Sequence, residues 1–89
     1  MGVIALPAPP GRATVGRATT NDIVLANDSV SSNHALIEVE AYALKITDLQ
    51  STNGVAVNRT RMPAGVLLIL HNNDVITFGE LEFEVRRSS

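Results

Sequence analysis

Leu81, Phe83 and Val85 alternate with Glu82 and Glu84, and Leu44 and Ile46 alternate with Lys45 and Thr47. A period of two gives each segment one apolar and one wet face, as a half-buried strand requires. Ala35, Ile37 and Val39 follow the rule in part, set against Glu38 and Glu40. Ile23 to Leu25, Val55 to Val57, Val66 to Leu70 and Val75 to Phe78 are short aliphatic or β-branched runs. Turn chemistry separates them at Asn27-Asp28, Ala41-Tyr42, Asn53-Gly54, Asn58-Arg59, Pro63-Ala64-Gly65, Asn72-Asn73 and Phe78-Gly79. A strand-like Val3 to Leu6 precedes a stiff loop, Pro7 to Gly11, and the polar tail from Arg86 to Ser89 is expected to fray. No stretch carries a helical period. Many short strands with turns about every 8–12 residues predict an all-β sandwich or barrel.

Composition narrows this picture. The 89 residues suit one domain spanning 1–89, with no second domain, internal repeat or low-complexity segment. Hydrophobic residues reach 45% but aromatics only 3%, so the core must be built from Val, Leu, Ile and Ala. With no cysteine, disulfides and thiolate metal sites are excluded. Two histidines would need carboxylate partners at no recognisable spacing to hold zinc, so neither metal nor cofactor is expected. The longest apolar run, Val66 to Leu70, is far short of the roughly 20 residues that cross a bilayer. Met1 to Leu6 lacks the basic and long apolar regions of a leader, and a cytoplasmic domain is the expectation.

A net charge of -2 argues against nucleic-acid binding. Its distribution says more. Arg12, Arg17, Arg59 and Arg61 fall at or near loops, while Glu38, Glu40, Glu82 and Glu84 fall in strand-like runs. A local basic patch on an acidic body suits a small anionic ligand. Three clusters of hydrogen-bonding residues stand at loop positions: Gly16-Arg17, Ser31-Ser32-Asn33-His34 and Asp48-Leu49-Gln50-Ser51-Thr52-Asn53-Gly54.

In this order, Gly16-Arg17, Ser31-x-x-His34 and Asp48-Leu49-x-Ser51-Thr52-Asn53-Gly54 resemble a forkhead-associated (FHA) domain. Asn73-Asp74-Val75-Ile76 with Phe78-Gly79 resembles the family's last hairpin region. The resemblance covers about 13–85. It implies a sandwich of two twisted, mainly antiparallel sheets with the binding loops at one end, and a phosphothreonine-dependent protein–protein interaction module in kinase signalling. The partner it implies is a phosphothreonine-containing protein, either a kinase substrate or the kinase itself. Membrane insertion is not implied, and other domains of a larger parent protein are further candidate partners. The short loops look bacterial.

The resemblance also implies roles. Arg17 pairs with the phosphate, Ser31 donates its hydroxyl, Thr52 lies beside the phosphothreonine, and Asn53 bonds the ligand backbone. Gly16, His34, Asp48 and Gly54 support the site. The chemistry fits these roles: a phosphate carries about -1.5 to -2 charge and three strong acceptors, and a guanidinium fork matches it where an ammonium does not. One position departs from the pattern. Where the family commonly has an arginine directly after the serine, this chain has Ser32, whose hydroxyl still reaches phosphate. Arg12, Arg59 and Arg61 are the candidates to supply the missing cation. Loss of that arginine favours the alternative of a phosphate-independent docking or oligomerisation module.

Each residue has a plainer reading beside this one. Arg17 alone is an ordinary solvated arginine, Ser31 and Ser32 are turn formers, and Asn53-Gly54 is a common hairpin signal. His71 reads as a surface turn residue. Ser31, His34 and Asp48 supply the side-chain types of a hydrolase triad, yet no Gly-x-Ser-x-Gly elbow or room for a cleft accompanies them. A non-enzyme is the expectation.

Overall fold

The computed structural model describes residues 1–87. In chain order its strands are β1 (Gly2–Ala5), β2 (Gly11–Gly16), β3 (Ile23–Val24), β4 (Ala35–Val39), β5 (Leu44–Asp48), β6 (Val55–Val57), β7 (Thr60–Arg61), β8 (Leu67–Leu70), β9 (Val75–Phe78) and β10 (Leu81–Arg86). They form two five-stranded sheets, ordered β1-β10-β9-β6-β7 and β3-β2-β4-β5-β8. Pairing is antiparallel except for β1 with β10 and β2 with β3, so both sheets are mixed.

The core lies between the sheets. Ala35, Ile37 and Val39 alternate inward along β4, and Leu44 and Ile46 do so along β5. They meet Val55, Ile76, Phe78 and Val85 of the other sheet in one apolar cluster. Phe78 is the largest fully buried side chain, in keeping with an almost wholly aliphatic core. Alternation thus becomes packing, because a one-residue slip would turn the aliphatic set out to water.

The sequence pattern and the structure differ at several points. The strand β2 is absent from the elements that the sequence pattern predicts, yet it pairs with β4 from Gly11↔Val39 to Val15↔Ala35. Its inward residues are only Ala13 and Val15, too small to stand out as a strand pattern. Within the apolar run Val66 to Leu70, Leu67–Leu70 form edge strand β8, where Leu70 is buried while Leu67 and Ile69 stay 46% and 49% exposed. A continuous run hides which face is inward. Along β10 the wet face is half-covered, because Arg59 bonds Glu82 at 3.3 Å and Arg86 bonds Glu84 at 3.1 Å. The end of the chain is held rather than frayed as far as Arg87, whose guanidinium donates to the carbonyls of Glu40 and Ala41 at 2.7 and 3.0 Å. Ser88 and Ser89 lie outside the described residues.

The Asn58-Arg59 turn joins β6 to β7 with φ of 50° and 67°. Two successive left-handed residues match the twist of a tight hairpin, and Asn tolerates that region well. His71 is exposed in its turn, where its backbone N–H donates to Asp74 at 2.8 Å. Among the described residues no helix is long and apolar enough to cross a membrane.

Candidate functional site

At one end of the two sheets, three connections meet: residues 17–22, 25–34 and 49–54. The chain leaves β2 at Gly16, and Arg17 N–H donates to Ser31 O at 2.9 Å while Ala18 N–H donates to Ser32 O at 3.2 Å. This ladder requires close approach. A Cβ on Gly16 would fall 2.2 Å from Ser32 O, so no side chain fits there. Asn21 reinforces the same junction, its amide donating to Ala18 O at 2.9 Å and Ser32 O at 2.7 Å.

The buried His34 links the second and third connections. Its Nδ1 accepts from Ser31 N–H at 3.0 Å, which places the ring proton on Nε2 to donate to Gly54 O at 2.8 Å. Phe78 packs edge-on against the ring at 5.7 Å between centroids. Asp48, also buried, accepts from Ser51 N–H at 3.0 Å, and Ser51 Oγ accepts from Gly54 N–H at 3.0 Å. Gly54 itself has φ +78°, and the Arg61 guanidinium lies within 2.7 Å of where its Cβ would be. Its backbone conformation favours glycine, whereas the exposed Arg61 side chain is free to shift.

On this brace, Arg17, Ser31, Ser32, Thr52 and Asn53 line one cleft of about 300 Å³. Ser31 Oγ accepts from Thr52 N–H at 3.0 Å, keeping its own hydroxyl proton to donate. Asn53 donates from Nδ2 to Ser29 O at 2.8 Å, which closes the cleft across the second and third connections. Asp28 enters the cleft from the side, its Oδ1 3.9 Å from Arg17 Nη1.

Residues 13–79 match the FHA domain family. The chain belongs to the FHA family. It is 38% identical over 74 residues to the ABC transporter ATP-binding/permease protein Rv1747 of Mycobacterium tuberculosis, covering 83% of this chain and 8% of that protein. It is 35% identical over 83 residues to the transcriptional regulatory protein EmbR of the same organism, covering 93% of this chain and 21% of EmbR. It thus spans only a small part of these relatives. Among solved structures, the FHA domain of CT664 from Chlamydia trachomatis superposes with a TM-score of 0.79 at 30% identity, covering 86% of this chain and 75% of that one. Mycobacterium tuberculosis EmbR in complex with a low affinity phosphopeptide gives 0.76 at 36% identity, covering 82% of this chain and 19% of that one. FHA domains are interaction modules, and solved neighbours include complexes with phosphopeptides.

Within this FHA domain, the triad residue types are not arranged as a triad. The ring nitrogens of His34 engage the Ser31 backbone and the Gly54 carbonyl, and the Asp48 carboxylate engages Ser51. Among the described residues no group of three His, Asp or Glu is placed to hold a metal. Of the candidates to replace the arginine missing at Ser32, Arg12 stands opposite Glu38 within the sheet and Arg59 is paired with Glu82. Arg61 borders the third connection, stacked on Gly54. Sequence reasoning missed Asn21 and Asp28. Ser29 is fixed by Asn27, whose Oδ1 accepts from its backbone N–H at 2.9 Å and its hydroxyl at 2.7 Å. Only the turn character of Asn27-Asp28 was visible beforehand.

Proposed function

We propose that this FHA domain binds a phosphothreonine-containing segment of a partner protein, a kinase substrate or the kinase itself, and performs no chemistry of its own. The observation that carries this reading is the convergence of Arg17, Ser31, Ser32, Thr52 and Asn53 on one cleft. Arg17 supplies the charge-assisted bond to the phosphate, which contributes roughly 1.5–3 kcal/mol. Ser31 donates its hydroxyl to a second phosphate oxygen, and Ser32 adds a neutral donor. Thr52 lies beside the phosphothreonine. Asn53 turns its remaining amide groups to the extended ligand backbone. Gly16, His34, Asp48 and Gly54 hold these groups in place without touching the ligand. The domain works in the cytoplasm of a bacterium, as a single module reporting kinase activity.

A second reading has one observation behind it. Ser32 leaves the cleft with a single arginine, and that one is half-engaged by Asp28. A phosphate-independent docking module would show the same lack of positive charge. A peptide array carrying each sequence with phosphothreonine, phosphoserine and unmodified threonine separates the two. Retention on the phosphothreonine spots alone is expected. Equal retention on the unmodified spots would establish docking without phosphate.

A further inference from the structure

Asp28 is, among the described residues, the carboxylate that lines the cleft. Its position is set by the backbone. Asn27 Oδ1 accepts from Ser29, and Val30 N–H donates to Asn27 O at 3.0 Å, so the turn is pinned on both sides of Asp28. The Asp28 side chain is fully exposed and leans toward Arg17, Oδ1 to Nη1 at 3.9 Å. In the free domain this carboxylate lies within ion-pair range of the guanidinium that the phosphate would take.

Binding of a phosphorylated ligand therefore exchanges ion pairs. The phosphate, carrying more charge, takes Arg17. Asp28 is then left without its cation and beside a second anion. The remaining cleft-lining groups, among them Ser29, Ser32 and Asn53, are uncharged and offer it nothing in return. A lysine or arginine on the ligand would restore the lost pair, whereas an aspartate or glutamate would add to the repulsion. Building on the phosphothreonine reading, we propose that Asp28 is a specificity-determining residue that selects ligands with a basic residue flanking the phosphothreonine and disfavours acidic ones.

The test is titration of wild type and Asp28→Asn with phosphothreonine peptides carrying lysine, alanine or glutamate at each flanking position in turn. Asp28→Asn keeps the shape of an exposed side chain, and circular dichroism verifies its fold. Wild type should bind the lysine peptide about 3- to 10-fold tighter than the glutamate peptide at one position or more, a ratio that shrinks with added salt. In Asp28→Asn the ratio should approach unity, and in Asp28→Lys it should invert. Phosphate-dependent binding with the same charge preference in wild type and Asp28→Asn, or with glutamate preferred by wild type, would overturn this assignment alone. Failure of wild type to bind any of the phosphorylated peptides would overturn the phosphothreonine reading and this assignment with it.

Discussion

The brace and the rim of the cleft are built from the same short connections but follow opposite rules. His34 is 0% exposed and Asp48 1%, and no buried side-chain nitrogen or oxygen among the described residues lacks a partner. Arg17 is 48% exposed in its side chain, and Thr52 and Asn53 lie open. The buried polar groups are satisfied by backbone, which fixes loops that carry little apolar surface of their own. The exposed groups stay partly unsatisfied, which leaves them donors and acceptors to give away. A change in the brace should therefore cost stability, and a change in the rim should cost affinity.

The sharpest break of this division is His34→Ala. It would strand Ser31 N–H and Gly54 O inside the protein and open a void against Phe78. A loss of about 2–5 kcal/mol is expected, which lowers Tm by more than about 10 °C in a domain this small. Calorimetric melting measures it, and an unchanged Tm would count against the brace. Ser31→Ala crosses the boundary, since Ser31 Oγ both faces the cleft and accepts from Thr52 N–H. Its phosphopeptide affinity should fall about tenfold while stability falls by no more than about 1 kcal/mol, since the stranded Thr52 N–H is exposed to water. Larger destabilisation than that, seen in denaturant titration, would move Ser31 into the brace.

Away from the site, the effects should be small. The Lys45 ammonium is held above its ordinary pKa of 10.5 by the hydrogen bond it donates to Glu40 and then by that carboxylate's charge. A raised folded-state value means that the stabilisation is fully present below 10.5 and is lost as pH rises through the raised value. Glu40→Gln should thus be slightly less stable than wild type at neutral pH and equal to it at strongly alkaline pH. Parallel denaturation curves at the two pH values check this, and a gap that widens with pH would contradict it.

The brace and the rim also differed in how well they could be read from the chain. The strands β4 and β5 were legible because Ile37, Leu44 and Ile46 alternate with charge. The strand β2 was not, since Ala13 and Val15 bury too little surface to advertise a face. In the site, Arg17, Ser31, Thr52 and Asn53 were legible as an ordered set with Ser32 as its departure, and one cleft gathers all five. Asn21 and Asp28 were not, although one braces the loops and the other faces Arg17. Small polar loop residues look alike in sequence whether they turn inward to a carbonyl or outward to solvent. Only the path of the backbone, here the approach of Gly16 to Ser32, decides which.

The most direct measurement is calorimetric titration of wild type and Arg17→Ala with one phosphothreonine peptide and its unphosphorylated twin. Wild type should bind the phosphorylated peptide and not its twin. Arg17→Ala should bind the phosphorylated peptide at least about tenfold more weakly while melting together with wild type, because Arg17 belongs to the rim. Equal affinity of wild type for both peptides, or of both proteins for the phosphorylated one, would contradict phosphate recognition by Arg17.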